Sequence, residues 1–210
     1  MNSISKTLCN QKRIPLDIMT LALERMLRGE NDEAYIEELL FAQFQSHDRA
    51  RKTRSAIFGI LERGPMTDYL MRHAPSLLAA LKSPNDRSLI LIALCCARYG
   101  FCYDIAVTMS NQFRVNETVS REMLDKRISA KYGLNKSVRN ATDCAVPQMV
   151  EAGLLRRIKP GIYESVPPMS FQYAVTLDLW KESFFINEPL YNREEQDEIL
   201  FEPYFKYIRG

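Results

Sequence analysis

The 210-residue sequence is poor in the residues that most catalytic and metal chemistry draws on. It holds two histidines, His47 and His73, standing apart in the chain, so a zinc site has almost no ligands, and both read as structural or exposed side chains. Its eight glycines form neither G-x-G-x-x-G nor G-x-x-x-x-G-K-[ST], which excludes a glycine-rich phosphate loop of either kind. Five cysteines (Cys9, Cys95, Cys96, Cys102, Cys144) are an odd set without C-x-x-C spacing, and they read as small buried thiols in a reducing compartment. The longest apolar run, Leu89 to Ala97, has nine residues, whereas a bilayer span takes about 20. It reads as a buried helix. MNSISKTLCNQKR has no apolar h-region and is not read as a secretory signal. Nothing singles out a pair of carboxylates. The expectation is a cytoplasmic protein that is not an enzyme, with no catalytic residue, metal, cofactor, small-molecule substrate or membrane partner.

What is present is the balance of an ordinary globular chain, 46% hydrophobic and 26% charged. From Leu16 to Leu27 apolar residues recur three or four apart and Gly29 supplies a stop. Asn31 and Asp32 offer a cap for a second helix with Ile36, Leu39, Leu40 and Phe44 on one side. A third runs from about Asp48 to Arg63, ending at Gly64-Pro65. Short helical segments follow at Thr67 to His73 and Leu77 to Lys82. Arg87 to Tyr99, apolar nearly all round, is expected to be the central helix, with Gly100 ending it. Residues 1–113 are therefore expected to form a helical bundle of five or six elements.

The pattern then changes. Ser120 can cap a helix to Tyr132, stopped by Gly133, and either Asn135 or Ser137 can cap a second whose stripe is Val138, Ala141, Ala145, Met149 and Ala152. Pro147 falls opposite that stripe and is expected to bend the helix. Leu155 to Ile158 and Ile162 to Val166 are β-prone runs joined by Lys159-Pro160-Gly161. Helix, glycine-bearing turn, helix and tight hairpin follow in the order of a winged helix-turn-helix, expected over residues 114–166. Residues 167–210 are acidic and aromatic, expected to pack on the rest, with Trp180, Leu177 and Phe184 in one helix and REEQDEILFEPYFKYI as a charged helix followed by an extended piece. The expected class is mainly α with one small β-hairpin.

Net charge is only +2, but it is unevenly spread. Residues 114–165 carry ten basic against six acidic side chains, and residues 166–210 carry four against eight. Cations docked on duplex DNA displace condensed counterions, so the basic block is the expected phosphate-contacting region. Opposite the apolar stripe of the second helix lie Lys136, Arg139, Asn140 and Asp143 beside Ser137; Arg139 and Asn140 suit guanine and adenine edges. The alternative is a solvated face. Arg156, Arg157 and Lys159 would reach flanking phosphates, or else form a charged edge that discourages aggregation, and alternation leaves at most two of them on one face. Arg127 and Lys131 of the preceding helix complete the set. Arg49, Arg51, Lys52 and Arg54 form a possible second DNA patch, or again a solvated face.

Three segments, IPLDIMTLALERMLRG, LILIALCCARYGF and EAGLLRRIKPGIYES, give the chain a resemblance to the BrxA family of bacterial BREX phage-defence systems. The resemblance implies a NusB-like helical part, a DNA-binding winged helix, work beside a methyltransferase and ATPases of the same defence cluster, and no catalysis of its own. The function expected is a sequence-tolerant binder of double-stranded DNA with other BREX proteins as partners. Its rivals are an RNA binder using the bundle and a winged-helix module for protein interaction.

Overall fold

The structure, a computed structural model, describes residues 13–30, 32–194 and 198–209; Cys9 and Asn31 lie outside them. Helix dominates. Helix α1 (Leu16–Leu27) buries Leu16, Met19, Leu23, Met26 and Leu27 as their spacing requires, and Gly29 leaves it with φ of +76°. Asp32 caps α2 (Glu33–Phe44) by accepting the Tyr35 amide at 3.0 Å. The next helices are α3 (His47–Leu61), α4 (Thr67–Arg72) and α5 (Ala74–Ala80). Ser83 then caps α6 (Pro84–Arg98), in which every residue from Leu89 to Ala97 is buried.

Gly100 does not end the helical run, as the sequence reading had it. It opens α7 (Gly100–Phe113), which leaves α6 at 118°. Tyr99, in extended conformation, makes the corner. Phe101, Cys102, Ile105, Ala106 and Met109 form a buried stripe at helical spacing, so this half contains seven helices among the described residues rather than five or six. No single described helix is long and apolar enough to cross a membrane.

After α7 come strand β1 (Thr118–Ser120), helices α8 (Arg121–Tyr132) and α9 (Lys136–Glu151), and strands β2 (Leu155–Lys159) and β3 (Ile162–Ser165). Ser120 caps α8 by accepting the Met123 amide at 3.1 Å, and Gly133, with φ of +81°, turns the chain. Of the two candidates for the next cap it is Asn135, whose side chain accepts the Val138 amide at 2.9 Å. β3 lies between β1 and β2, antiparallel to both. The β1 strand, too short to show a period, was not legible in the sequence. α9 continues through Pro147 to Glu151. Its later turns are buried on several sides, at Cys144, Val146 and Gln148 as well as Ala145 and Met149, so neighbours hold the helix where the missing amide would weaken it. α7 packs against β1, α8, α9 and β3, which joins this segment to the helical half. Glu151 adds a further tie, accepting from Arg13 and from the Leu16 amide.

Strand β4 (Met169–Ser170) leads into α10 (Ala174–Asn187), which runs along α6. Trp180 Nε1 donates to Leu89 O at 3.0 Å, Ser183 Oγ to Ala93 O at 2.9 Å and Asn187 Nδ2 to Cys96 O at 3.0 Å. At its start, buried Asp86 accepts the amides of Gln172 and Tyr173 and the Thr176 hydroxyl, capping α10 from a neighbouring helix. Of the expected charged terminal helix, residues 195–197 lie outside the described residues, and from Glu198 on the chain forms two 3₁₀ turns, Glu198–Phe201 and Pro203–Tyr207, before a short strand β5 (Ile208–Arg209) paired parallel to β4. Tyr204, Phe205 and Tyr207 are buried there, and anchoring three aromatics in five residues is incompatible with one long solvated helix.

Candidate nucleic-acid interface

The exposed side of α9 begins immediately after the turn that joins it to α8. Lys136 and Arg139 are exposed and Ser137 and Asn140 half-buried, while Val138 and Ala141 turn inward. Neither Lys136 nor Arg139 has a side-chain ion pair among the described residues. Asp143 occupies the same exposed side, where an unanswered carboxylate would oppose any anion. Arg121 answers it.

That arginine was not among the residues the sequence singled out. It is the first residue of α8, where a cation sits at the unfavourable end of the helix dipole, and it is compensated by carboxylates. Its guanidinium pairs with Asp125 one turn along at 2.8 Å, with Asp143 across on α9, and donates to Arg139 O at 3.3 Å. Its backbone amide donates to Gly161 O in the hairpin turn at 2.6 Å. One residue thus ties α8, α9 and the hairpin together. The spacing of Arg121 and Asp125 was a readable signal for the first pair; the Asp143 contact crosses two helices and has no local signature.

The hairpin divides its three cations by face. Arg157 pairs in register with Tyr163, which in turn faces Val119, and both of these are buried. Arg156 lies opposite Glu164 on the other face and forms an ion pair with it. An irregularity between Arg157 and Lys159 sets Lys159 opposite Ile162, so Arg156 and Lys159 share a face although three positions apart. Arg157 and Lys159 are exposed and carry no ion pair among the described residues.

Arg127 is exposed on α8 without an ion-pair partner among the described residues. Lys131 is held differently, with Nζ 2.7 Å from the buried carboxylate of Asp104 on α7, which also accepts from the Tyr132 hydroxyl. Burial and the Asp104 hydrogen bond raise the Tyr132 phenol well above its ordinary range. Leu134 in the turn and Ile158 on the hairpin are exposed apolar side chains, and a cavity of about 430 Å³ opens at the turn between Ser129, Leu134, Lys136 and Arg139.

The four cations of α3 stand among acids. Arg54 pairs with Glu33 at 3.3 Å and Glu37 at 2.9 Å, while Arg51 and Lys52 share Asp48 at 3.2 and 2.7 Å. The Lys52 hydrogen bond leads in holding the Asp48 carboxyl below its usual range. Arg49 lies 3.9 Å over the Phe44 ring.

His47 stacks on Phe41 and His73 on Tyr69, and no group of three metal-ligating side chains occurs among the described residues. Cys95, Cys96, Cys102 and Cys144 are buried and free of disulfides. Comparisons with family models, curated proteins and solved structures return no match.

Proposed function

We propose that the chain is a duplex-DNA-binding adaptor of the BrxA kind, working without a catalytic step beside other proteins of a BREX phage-defence system. In this reading residues 114–166 are a winged helix: β1, α8, α9 and the β2–β3 hairpin follow one another in its order, with α9 as recognition helix and the hairpin as wing. The NusB-like part is the helical bundle before it. The carrying observation is charge left unanswered. Arg127, Lys136, Arg139, Arg157 and Lys159 are exposed without ion pairs among the described residues, while Asp143 on the same side of α9 is engaged by Arg121. The cations of α3 are mostly paired, which favours α9 and the hairpin over them as the main phosphate surface.

Five such cations on B-DNA correspond to a slope of about −4 to −5 in log affinity against log salt. The test is a titration of duplex DNA across salt concentrations, with structured RNA of equal length as competitor. A slope near zero overturns the electrostatic mechanism, and preference for RNA transfers the function to the other nucleic acid. Arg139→Ala is expected to cost about 1–3 kcal/mol where it meets a base edge, and less at a phosphate.

A second reading, docking of a protein on the same surface, is favoured by one observation: Leu134, 85% exposed in the turn before Lys136, and Ile158, 52% exposed between Arg157 and Lys159, are apolar side chains. Leu134→Ala and Ile158→Ala that leave DNA binding intact but abolish complex formation with defence partners would assign these side chains to it.

A further inference from the structure

A second basic site lies away from α9, in an open groove of about 510 Å³ where α3 meets the α6–α7 corner. Lys52, Ser55, Gly59 and Arg63 line it from α3 and its exit, and Arg98 and Tyr99 from the corner. Among the described residues, three cations and no carboxylate line this space. Lys52 has its Asp48 partner on its own helix, and the Arg63 guanidinium, without an ion pair among the described residues, donates to the Ser55 carbonyl at 3.2 Å. The Arg98 side chain has no hydrogen bond or ion pair among the described residues, its Nε is buried without an acceptor, and its guanidinium lies 5.9 Å from the Tyr99 ring. A buried guanidinium nitrogen left unsatisfied costs free energy unless something supplies the acceptor.

Gly59 is a separate clue. It lies inside α3, where glycine is a poorer helix former than alanine. Its φ is not in the left-handed region, and a Cβ built there meets no atom within 4 Å. The chain's own packing does not require glycine. An occupant approaching the helix backbone closely would.

We propose that this groove binds a phosphate group, held by Arg98 and Arg63 with Lys52 at its edge and resting over Gly59. The α6 C-terminus and the α7 N-terminus meet at the corner with opposed dipoles, so the side-chain cations set the sign of the site. Guanidinium groups match phosphate oxygens in planar, two-point fashion. The group can belong to a free pyrophosphate or nucleotide, or to the backbone of a nucleic acid whose main contacts lie on α9.

Calorimetric titration with sodium pyrophosphate and with ATP, at low ionic strength, tests the free-ligand source on the wild type, Arg98→Gln, Arg63→Gln and Gly59→Ala. Melting curves of each variant confirm folding. Pyrophosphate binding that falls at least tenfold in Arg98→Gln, and in Arg63→Gln should the first variant not fold, supports the site with a free phosphate. Gly59→Ala is expected to raise the melting temperature by a few degrees, about the scale of one helix-interior glycine, and to weaken pyrophosphate. Duplex DNA titrated over salt gives the second arm. Absence of pyrophosphate binding with a salt slope lowered by about one unit in Arg98→Gln supports a polymer phosphate. Unchanged pyrophosphate and DNA binding in folded Arg98→Gln and Arg63→Gln overturns the proposal. Because α9 and the hairpin are untouched, loss here leaves Arg139-dependent DNA binding in place.

Discussion

Arg121, at the start of α8, holds Asp143 on the exposed side of α9. The pair removes a negative charge from the surface that carries Lys136 and Arg139, and it does so with a residue that is itself only 20% exposed at its side chain. Burial works against the Arg121 charge, and the hydrogen bonds it donates to Asp125 and Asp143 outweigh it.

On the proposed DNA surface, removing Arg121 is expected to act through Asp143. Arg121→Ala is expected to lower duplex affinity about tenfold, or about 1.4 kcal/mol, with a stability loss of about 1 kcal/mol because Asp143 is mostly exposed. Arg121→Ala combined with Asp143→Ala should recover most of the affinity, giving a coupling energy of about 1 kcal/mol in a double-mutant cycle. Additive losses would show that Arg121 contacts DNA directly. Binding curves on all four proteins decide it.

The hairpin cations are expected to be unequal. Arg157→Ala and Lys159→Ala should each lower the salt slope by about one unit, affecting all duplex sequences alike. Arg156 already has Glu164, so Arg156→Ala should lower it by less. Equal losses at the three positions would mean that the Arg156 pair opens on the complex.

Acid should loosen α10 through Asp86. Burial would raise the Asp86 carboxyl, but hydrogen bonds from Ser83 and Thr176 and the Gln172 and Tyr173 amides hold it below the ordinary value. A depressed folded-state pKa means that its contribution is complete above the unfolded value, about 3.9, and is lost as pH falls through the lower folded value. Asp86→Ala, leaving the donors of Gln172, Tyr173 and Thr176 unmet, should cost about 3–5 kcal/mol at neutral pH. Asp86→Asn should flatten the stability curve below pH about 4. Urea melts between pH 3 and 7 on wild type and variant measure both; parallel curves would assign the acid sensitivity elsewhere.

Helices with a one-sided stripe were legible from the chain alone: α1 and the early turns of α9 carry apolar residues at the helical period, and the caps at Asp32 and Ser120 follow from their own residue type and the amides next to them. So was the basic character of residues 114–165, because charge is a property of composition. These are local quantities, settled within a few residues. What the tertiary structure decided is which charges remain available. Lys131 and Arg54 look like Lys136 and Arg139 in sequence, yet one meets Asp104 from α7 and the other two glutamates of α2. Likewise, Asp86 becomes the cap of a helix 88 residues later, and Gly100 begins a helix where it looked like an end. Each outcome depends on partners brought together by the packing of α6, α7 and α10, and long-range pairing leaves no period or spacing in the chain that would announce it.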